Sequence, residues 1–470
     1  MLRVYNTYSL EKEPFTPQVP GEITMYLCGP TVYNYIHIGN ARSAVAFDTI
    51  RRYLEWRGFT VNFVSNFTDL GDKVIAQGEK EGLTEEEVAD KYAAAFGEDA
   101  GQLNVKPATT RPRATEYMEE MVDFVQKLID QDQAYVVGGD VYFSTKKFPN
   151  YTALSHQKMD ELEENAAGRL GEEDQDQKQD PADFALWKAE DREGVTAWPS
   201  PWGPGRPGWH LECSVMNDQL LGETIDIHAG GIDLTFPHHT NELAQSESYH
   251  HKQFVRYWLH NGFVNVNDEK MSKSLGNFVT IHDLLQEDID PQGLRFFLAK
   301  TNYRRAISYS ADRLAQSQAE LDKLYRTYQA LEKAQVQLVK EVTPEVQSQV
   351  GELDQAFVAA MDDDFNTENA VTVIFDLATL INRLLAETQL TRGDAVLLKN
   401  RLQTWLGIFG VENLEQEVEL TPDQEKMLEE RRLARENKDF AASDDLRDRL
   451  LATGLVVRDS SQGQTWEMKK

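Results

Sequence analysis

Residues 22 to 28, Glu22-Ile23-Thr24-Met25-Tyr26-Leu27-Cys28, form a short apolar run that Gly29-Pro30 ends, and His37-Ile38-Gly39-Asn40 follows close behind. The run reads as a strand and the glycine-proline pair as its stop. Beyond it, Phe47, Ile50 and Leu54 recur at spacings of three and four, Gly58 terminates the pattern, and Val61-Asn62-Phe63-Val64 reads as a second strand. Strand, helix and strand in this order make a βαβ unit, which requires a parallel sheet and predicts a Rossmann-like α/β domain. His37-Ile38-Gly39-Asn40 then lies between the first strand and its helix, where unpaired backbone donors and the positive helix end suit a phosphate. His37 is a candidate donor to an α- or β-phosphate oxygen, and Gly39 lets a nucleotide approach the backbone. A histidine before a helix also serves as a plain cap, so this tetrapeptide needs a partner motif.

The partner lies far downstream in Lys270-Met271-Ser272-Lys273-Ser274. Two ammonium groups and two hydroxyls in one loop suit the charge that develops at the α-phosphorus during adenylyl transfer, with Lys273 the first candidate. The alternative is a solvated Lys/Ser turn. Between the motifs stand candidate metal ligands. Cys28 closes the first strand, the only other cysteine is Cys213, and His238 and Glu242 lie four apart on a helix expected after Pro237. Two thiolates, an imidazole and a carboxylate complete a tetrahedral zinc shell. His239, three residues before Glu242, is an alternative to His238. Two buried apolar cysteines and a solvated His/Glu pair are the competing reading.

At 470 residues the chain exceeds what one core organises, so three to five units are expected. Its net charge of −30 argues against a surface that wraps nucleic acid throughout. Two cysteines exclude a disulfide framework, and the N-terminus lacks an apolar signal core, so a cytoplasmic protein is expected. No run approaches the ~18 consecutive apolar residues of a membrane span, and no membrane role is expected. Residues 160 to 183 hold ten acidic residues against Arg169 and Lys178, which reads as an exposed insertion. The expected order is 1–115, first half of the parallel-sheet domain; 116–195, connective insertion; 196–265, second half with the metal ligands; 266–310, the lysine loop and a stem-contact region; 311–410, a helical bundle; and 421–470, a small α+β unit. The last opens with a capping box, Thr421-Pro422-Asp423-Gln424, and ends in a hairpin around residues 460 to 464. With ten basic and eleven acidic residues it escapes the acidity of the rest.

From Tyr26-Leu27-Cys28-Gly29-Pro30-Thr31-Val32-Tyr33 to Gln462-Gly463-Gln464-Thr465-Trp466 the sequence resembles the bacterial cysteinyl-tRNA synthetases, class I enzymes. Residues 37–40 correspond to the family's HIGH motif, 270–274 to its KMSKS loop, and Cys28, Cys213, His238 and Glu242 to its zinc ligands. The resemblance implies activation of L-cysteine by ATP with Mg²⁺, then transfer to the 3′ end of tRNA(Cys). It implies catalytic roles for His37, Asn40, Lys270 and Lys273, and ATP contacts from His37, Gly39, Asn40 and Lys273. Asn40 departs from the motif's final histidine; its amide donates a hydrogen bond but carries no charge. Thr68 and Asp233 would hold the substrate ammonium, Trp209 would floor the pocket, and His228 and His210 would belong to the same histidine-rich pocket. A zinc-bound thiolate would reject serine without a proofreading site, and 116–195 is too short and polar for a hydrolytic domain. Arg435, Asp444, Asp459 and Trp466 match anticodon-binding positions, Phe440 stands where relatives often carry tryptophan, and Arg304 and Arg305 are candidate phosphate contacts. A monomer is expected. Two rivals remain: a ligase of the same architecture that passes cysteine to a small amino-sugar acceptor, and a non-catalytic RNA-binding relic, which should have lost His37 or Lys273.

Overall fold

A computed structural model describes residues 1–158, 177–271, 276–287, 289–387, 390–412, 414, 421–460 and 463–468. They fall into two compact units, Met1–Glu412 and Asn413–Lys470.

The first unit is built on four parallel strands, β1 (Glu22–Leu27), β2 (Thr60–Ser65), β3 (Ile225–Gly231) and β4 (Val255–Asn261), in the order β4-β3-β1-β2. β1 is central: Leu27 lies beside Ser65 on one side and Ala229 on the other. Both faces are covered, so Met25, Tyr26, Ile225, Ile227 and Leu259 are all buried, and the polar Asp226 and His228 of β3 are buried with them. Helix α1 (Ile38–Trp56) joins β1 to β2 and buries Phe47, Ile50 and Leu54, the periodic residues of the sequence. Gly58, at φ +92°, turns the chain back toward β2 where a side chain would be strained. The chain thus leaves β1 toward β2 on one side and returns as β3 on the other. The carboxyl end of β1 is the switch point at which open α/β sheets gather ligands, and Cys28 stands there, its N–H donating to the Ala229 carbonyl at 3.1 Å.

Between β2 and β3 the chain forms the helix Met118–Asp130 and a four-stranded antiparallel sheet of Ala134–Val137, Asp140–Phe143, Phe184–Ala189 and Gly205–Pro207. The fourth strand comes from beyond residue 195 because Trp187 pairs with Pro207. The acidic run of 160–183 lies outside the described residues as far as residue 176. Helix α2 (Trp209–Leu221) precedes β3, and α3 (Thr240–His250) joins β3 to β4.

Residues 311–408 form the helices Ala311–Glu332, Pro344–Asp362, Thr367–Glu387 and Arg392–Ile408. Thr367–Glu387 has the length and apolarity of a membrane span. Its buried residues, Ala370, Val373, Ile374, Leu377 and Ile381, follow the three-and-four spacing of a stripe turned toward neighbouring helices. Arg295, fully buried on the helix Pro291–Ala299, ties this region to α1, donating to Asp48 at 2.6 Å and to the Phe409 carbonyl at 2.8 Å.

The second unit has two helices, Pro422–Glu436 and Phe440–Ala452, and an antiparallel hairpin, Leu455–Ser460 with Gly463–Met468. Thr421 and Gln424 form the capping box reciprocally. Met427, Leu428, Leu446, Leu450, Leu455 and Val457 make a core of their own, with Trp466 packed on it.

Candidate active site and metal centre

A cleft of about 500 Å³ opens at the carboxyl end of β1, lined among others by Cys28, His37, Gly39, Asn40, Trp209, Asp233, Lys270 and Met271. His37 is the N-cap of α1: its Nδ1 accepts the Asn40 N–H at 3.1 Å. That bond puts the ring proton of a neutral imidazole on Nε2. The residues just after the lysine loop bind this segment directly. Ile38 donates to the Val279 carbonyl at 3.0 Å, Ile281 donates to Ile36 at 2.9 Å, and Phe278 meets the His37 ring edge-on at 5.4 Å. A side chain at Gly39 would start 2.9 Å from the His37 ring, so glycine is needed for the cap to fold over the helix start, and Met271 Cε lies at contact distance, 3.7 Å, from the same point. Lys270 and Met271 therefore share a cleft with the upstream motif. Lys273 lies outside the described residues.

At the base of the cleft, ligand atoms of Cys28, Cys213, His238 and Glu242 all lie within 4.8 Å of one another. The two sulfurs are 3.7 Å apart, Cys28 Sγ is 3.4 Å from Glu242 Oε1, and His238 Nε2 is 3.0 Å from the same oxygen. Cys28 comes from the end of β1, Cys213 from α2, His238 from an irregular turn before α3, and Glu242 from the first turn of α3. Cys28, His228, His239 and Glu242 form a second, overlapping group. His228 Nε2 lies 2.8 Å from Glu242 Oε2, and His239 Nε2 is 3.3 Å from Cys28 Sγ. His210 Nδ1 is 2.9 Å from His238 Nδ1, and His260 Nε2 is 2.8 Å from His239 Nδ1.

Burial shifts the protonation of several of these groups. It drives His238 and His239 well below the usual imidazole range and His210 and His260 down to about 3, leaving neutral rings with lone pairs to offer. Burial also holds the Cys28 thiol well above its ordinary value, so a thiolate there calls for a cation beside it. Two thiols, an imidazole and a carboxylate converging in a buried space fit a divalent metal that accepts sulfur and nitrogen.

Trp209 stacks on His238 at 4.2 Å and lines the cleft, and Asp233 lines it as an exposed carboxylate. Thr68 does not line it. Its side chain is buried, and its hydroxyl donates to Glu212 Oε2 at 2.7 Å. Glu212 is absent from the sequence reading of the site. Burial pushes its carboxyl up to about 8, against the Thr68 bond that lowers it. Its spacing from Trp209 and Cys213, three before and one after, was the available signal, since Trp209, Glu212 and Cys213 share one side of α2.

In the second unit Asp459 holds two arginines. The fully buried Arg431 donates to both its oxygens, at 3.0 and 2.9 Å, and Arg435 reaches it at 2.8 Å. Asp444 pairs with Arg447 at 3.3 Å, and Phe440 is exposed. Back in the first unit, Arg304 donates to the buried Asp364 at 2.6 Å and lies over the Tyr5 ring, whereas the exposed Arg305 pairs with Glu368 at 2.8 Å.

Residues 14–319 match the family described as tRNA synthetases class I (C) catalytic domain, 356–414 the DALR domain, and 417–466 the cysteinyl-tRNA ligase anticodon binding domain. The methionyl-tRNA synthetase of Mycobacterium tuberculosis, solved with methionyl-adenylate, superposes with a TM-score of 0.60 at 17% identity, over 90% of this chain and 96% of that one. Parallel sheet, switch-point cleft and paired motifs define a class I aminoacyl-tRNA synthetase fold. The cysteine–tRNA ligases of Leuconostoc citreum and Oenococcus oeni are 51% and 52% identical to this chain over 99% of each sequence. The chain belongs to the cysteine–tRNA ligase family.

Proposed function

We propose that this chain activates L-cysteine with ATP to cysteinyl-adenylate and pyrophosphate, then esterifies the 3′-terminal adenosine of tRNA(Cys). The observation that carries this reading is the meeting, at one cleft, of the His37 helix start, the flanks of the lysine loop and the buried Cys28/Cys213/His238/Glu242 group.

The cysteine carboxylate attacks the α-phosphorus of ATP and displaces pyrophosphate. His37 offers its Nε2–H to a phosphate oxygen, with Nδ1 held by the helix backbone, and Asn40 adds an amide donor without charge. Lys270 and Lys273 act on the charge that grows in the transition state, so their contribution falls on rate rather than on ground-state binding. Mg²⁺ accompanies the phosphates. Asp233 receives the substrate ammonium and Trp209 packs beneath it; Thr68 serves through Glu212, from behind the cleft wall. Zinc held by Cys28, Cys213, His238 and Glu242 would supply a soft site for the substrate thiolate, which the hydroxyl of serine matches poorly. His228 and His210 hold Glu242 and His238 in place. In the terminal unit, Arg435, Asp444, Asp459 and Trp466 face the anticodon.

The amino-sugar ligase is not favoured, since the likeness to cysteine–tRNA ligases runs through the anticodon-binding unit. The test is ATP/pyrophosphate exchange with cysteine and with serine, charging of tRNA(Cys), and metal content of the pure protein. Cysteine-dependent exchange, serine rejection, charging and one zinc per chain are expected. Equal exchange with serine, or exchange without charging, would overturn the reading.

A further inference from the structure

Residues 278–282 leave the lysine loop and pair with residues 36–38, Thr280 lying across from His37 in an isolated antiparallel bridge. His282 stands at the end of this pairing, on the short helix Ile281–Gln286, and is not among the residues that line the cleft. Its ring lies flat on that of Tyr35, the centroids 4.0 Å apart and the planes 12° from parallel, and Tyr35 does line the cleft. Tyr92 meets the Tyr35 ring at right angles, 5.5 Å away. Stacked and perpendicular contacts together hold Tyr35 from two elements.

The same imidazole faces a buried carboxyl. Asp99, 2% exposed on the helix Glu85–Gln102, has its Oδ1 3.6 Å from His282 Nδ1, and its Oδ2 has no hydrogen-bond partner among the described residues. Burial pushes the Asp99 carboxyl up, the neighbouring Glu98 and Asp283 add to this, and His282 opposes it. The other groups around the pair are engaged elsewhere. Asp283 accepts from the Thr280 hydroxyl at 2.6 Å, and the Tyr92 hydroxyl donates to Glu81 at 2.6 Å. Protonated His282 is therefore the cation that the fold sets against Asp99, and it ties the helix Glu85–Gln102 to both halves of the paired segment.

We propose that His282 is a positioning residue: clamped between the Tyr35 ring and the Asp99 carboxylate, it holds the downstream flank of the lysine loop in register with the His37 helix start, and so sets the rate of adenylate formation. This rests on the adenylate-forming reading given above. His282 touches neither ATP nor cysteine in that reading, so its effect falls on the rate and not on cysteine affinity. An imidazole carries its charge below roughly pH 6.5, and a neutral ring keeps the stack but gives Asp99 no counter-charge. The brace is therefore tightest in mildly acidic solution and slackens as pH rises.

The test compares the full-length wild type with His282→Ala, His282→Arg and Asp99→Asn by single-turnover adenylate formation from about pH 6 to 8.5, with cysteine affinity measured alongside. At the acidic end His282→Ala should form adenylate roughly three- to tenfold more slowly, having lost one stack and one partly exposed ion pair, and should bind cysteine as the wild type does. Arginine stacks on an aromatic face and stays charged, so His282→Arg should match the wild type near pH 6 and exceed it about threefold near pH 8.5. The ratio of this variant to the wild type cancels every other group that titrates, His37 included. Combined with Asp99→Asn, His282→Arg should give no gain at any pH, which a merely structural role would not predict. Adenylate formation by His282→Ala at the wild-type rate overturns the inference and leaves the proposed function standing. A ratio of His282→Arg to wild type that stays flat with pH, or rises equally in the presence of Asp99→Asn, overturns it too. Weaker cysteine binding by His282→Ala at an unaltered rate does the same, by assigning the residue to the substrate. A wild type that forms no cysteinyl-adenylate defeats the proposed function itself.

Discussion

The candidate metal centre and the terminal unit both place polar groups in buried surroundings, but they satisfy them differently. At the centre, four potential ligands arrive from β1, α2, the turn before α3 and α3 itself, and burial keeps the thiol of Cys28 protonated. Nothing but the fold brings these residues together, and as a set they could hold a cation. In the terminal unit, Asp459 is already saturated by Arg431 and Arg435, two positions four apart on one helix. The first arrangement leaves its thiols without a counter-charge; the second completes itself. A buried charge pair of this kind says more about what orders the hairpin than about what the hairpin binds.

The sharpest way to break the comparison is to cut the two units apart. Ending the chain near residue 420 should leave cysteine-dependent exchange intact, because every proposed catalytic group precedes it. Charging of tRNA(Cys) should fall by roughly a thousandfold or more, since several base contacts worth ~1–3 kcal/mol each are lost together. Full charging by the shortened chain would return the small-acceptor ligase to contention.

Next in size is Cys213→Ser. An alcohol does not ionise as a thiol does beside a metal. Structural zinc sites bind with ~10–16 kcal/mol, so losing one ligand of four removes ~3 kcal/mol, about a hundredfold in affinity. Metal content after dialysis against a chelator measures this directly. Full zinc occupancy with undiminished serine rejection would show that the overlapping group, with His228 and His239, holds the ion instead.

How legible each region was follows from the same contrast. The candidate ligands could be picked out because cysteine is rare in this chain and His238 and Glu242 sit at helical spacing; the βαβ rhythm of residues 22–64 placed only Cys28, at the end of its first strand. Thr68 was harder. Its partner Glu212 is one residue from the candidate ligand Cys213, but its aim at Thr68 depends on how α2 packs in the folded chain. The strand from 205–207 joined the antiparallel sheet through a pairing that no local pattern announces. Asp364 likewise engages Arg304 from sixty residues away, turning a candidate phosphate contact into an internal tie. Arg431 stands among the charges of a helical stretch with nothing in the sequence to single it out, and the return of the hairpin buries it.

That last point predicts Asp459→Asn. Arg431 would keep a neutral partner but lose its counter-charge in a fully buried position. The cost should be about 2–3 kcal/mol, below the ~3–5 kcal/mol of a wholly buried pair because Asp459 is partly exposed. Amide exchange along Pro422–Glu436 should accelerate by roughly 30- to 150-fold while the helices of residues 311–408 keep their protection. Unchanged exchange would mean that the pair does not order the unit.

Arg435→Ala gives the smallest effect and separates the two roles most finely. Arg435 is more exposed than Arg431, and Asp459 retains its two hydrogen bonds from Arg431 when Arg435 is removed. An exposed ion pair contributes at most ~1 kcal/mol, so thermal unfolding should scarcely move. If the guanidinium also reads a base, kcat/KM for tRNA(Cys) should drop about fivefold, the low end for a single contact that stays partly solvated. The ratio of the two changes is the measurement. A charging defect with no loss of stability assigns Arg435 to the RNA. A loss of stability with charging preserved makes it a second brace for Asp459, and base recognition must then come from elsewhere on the unit.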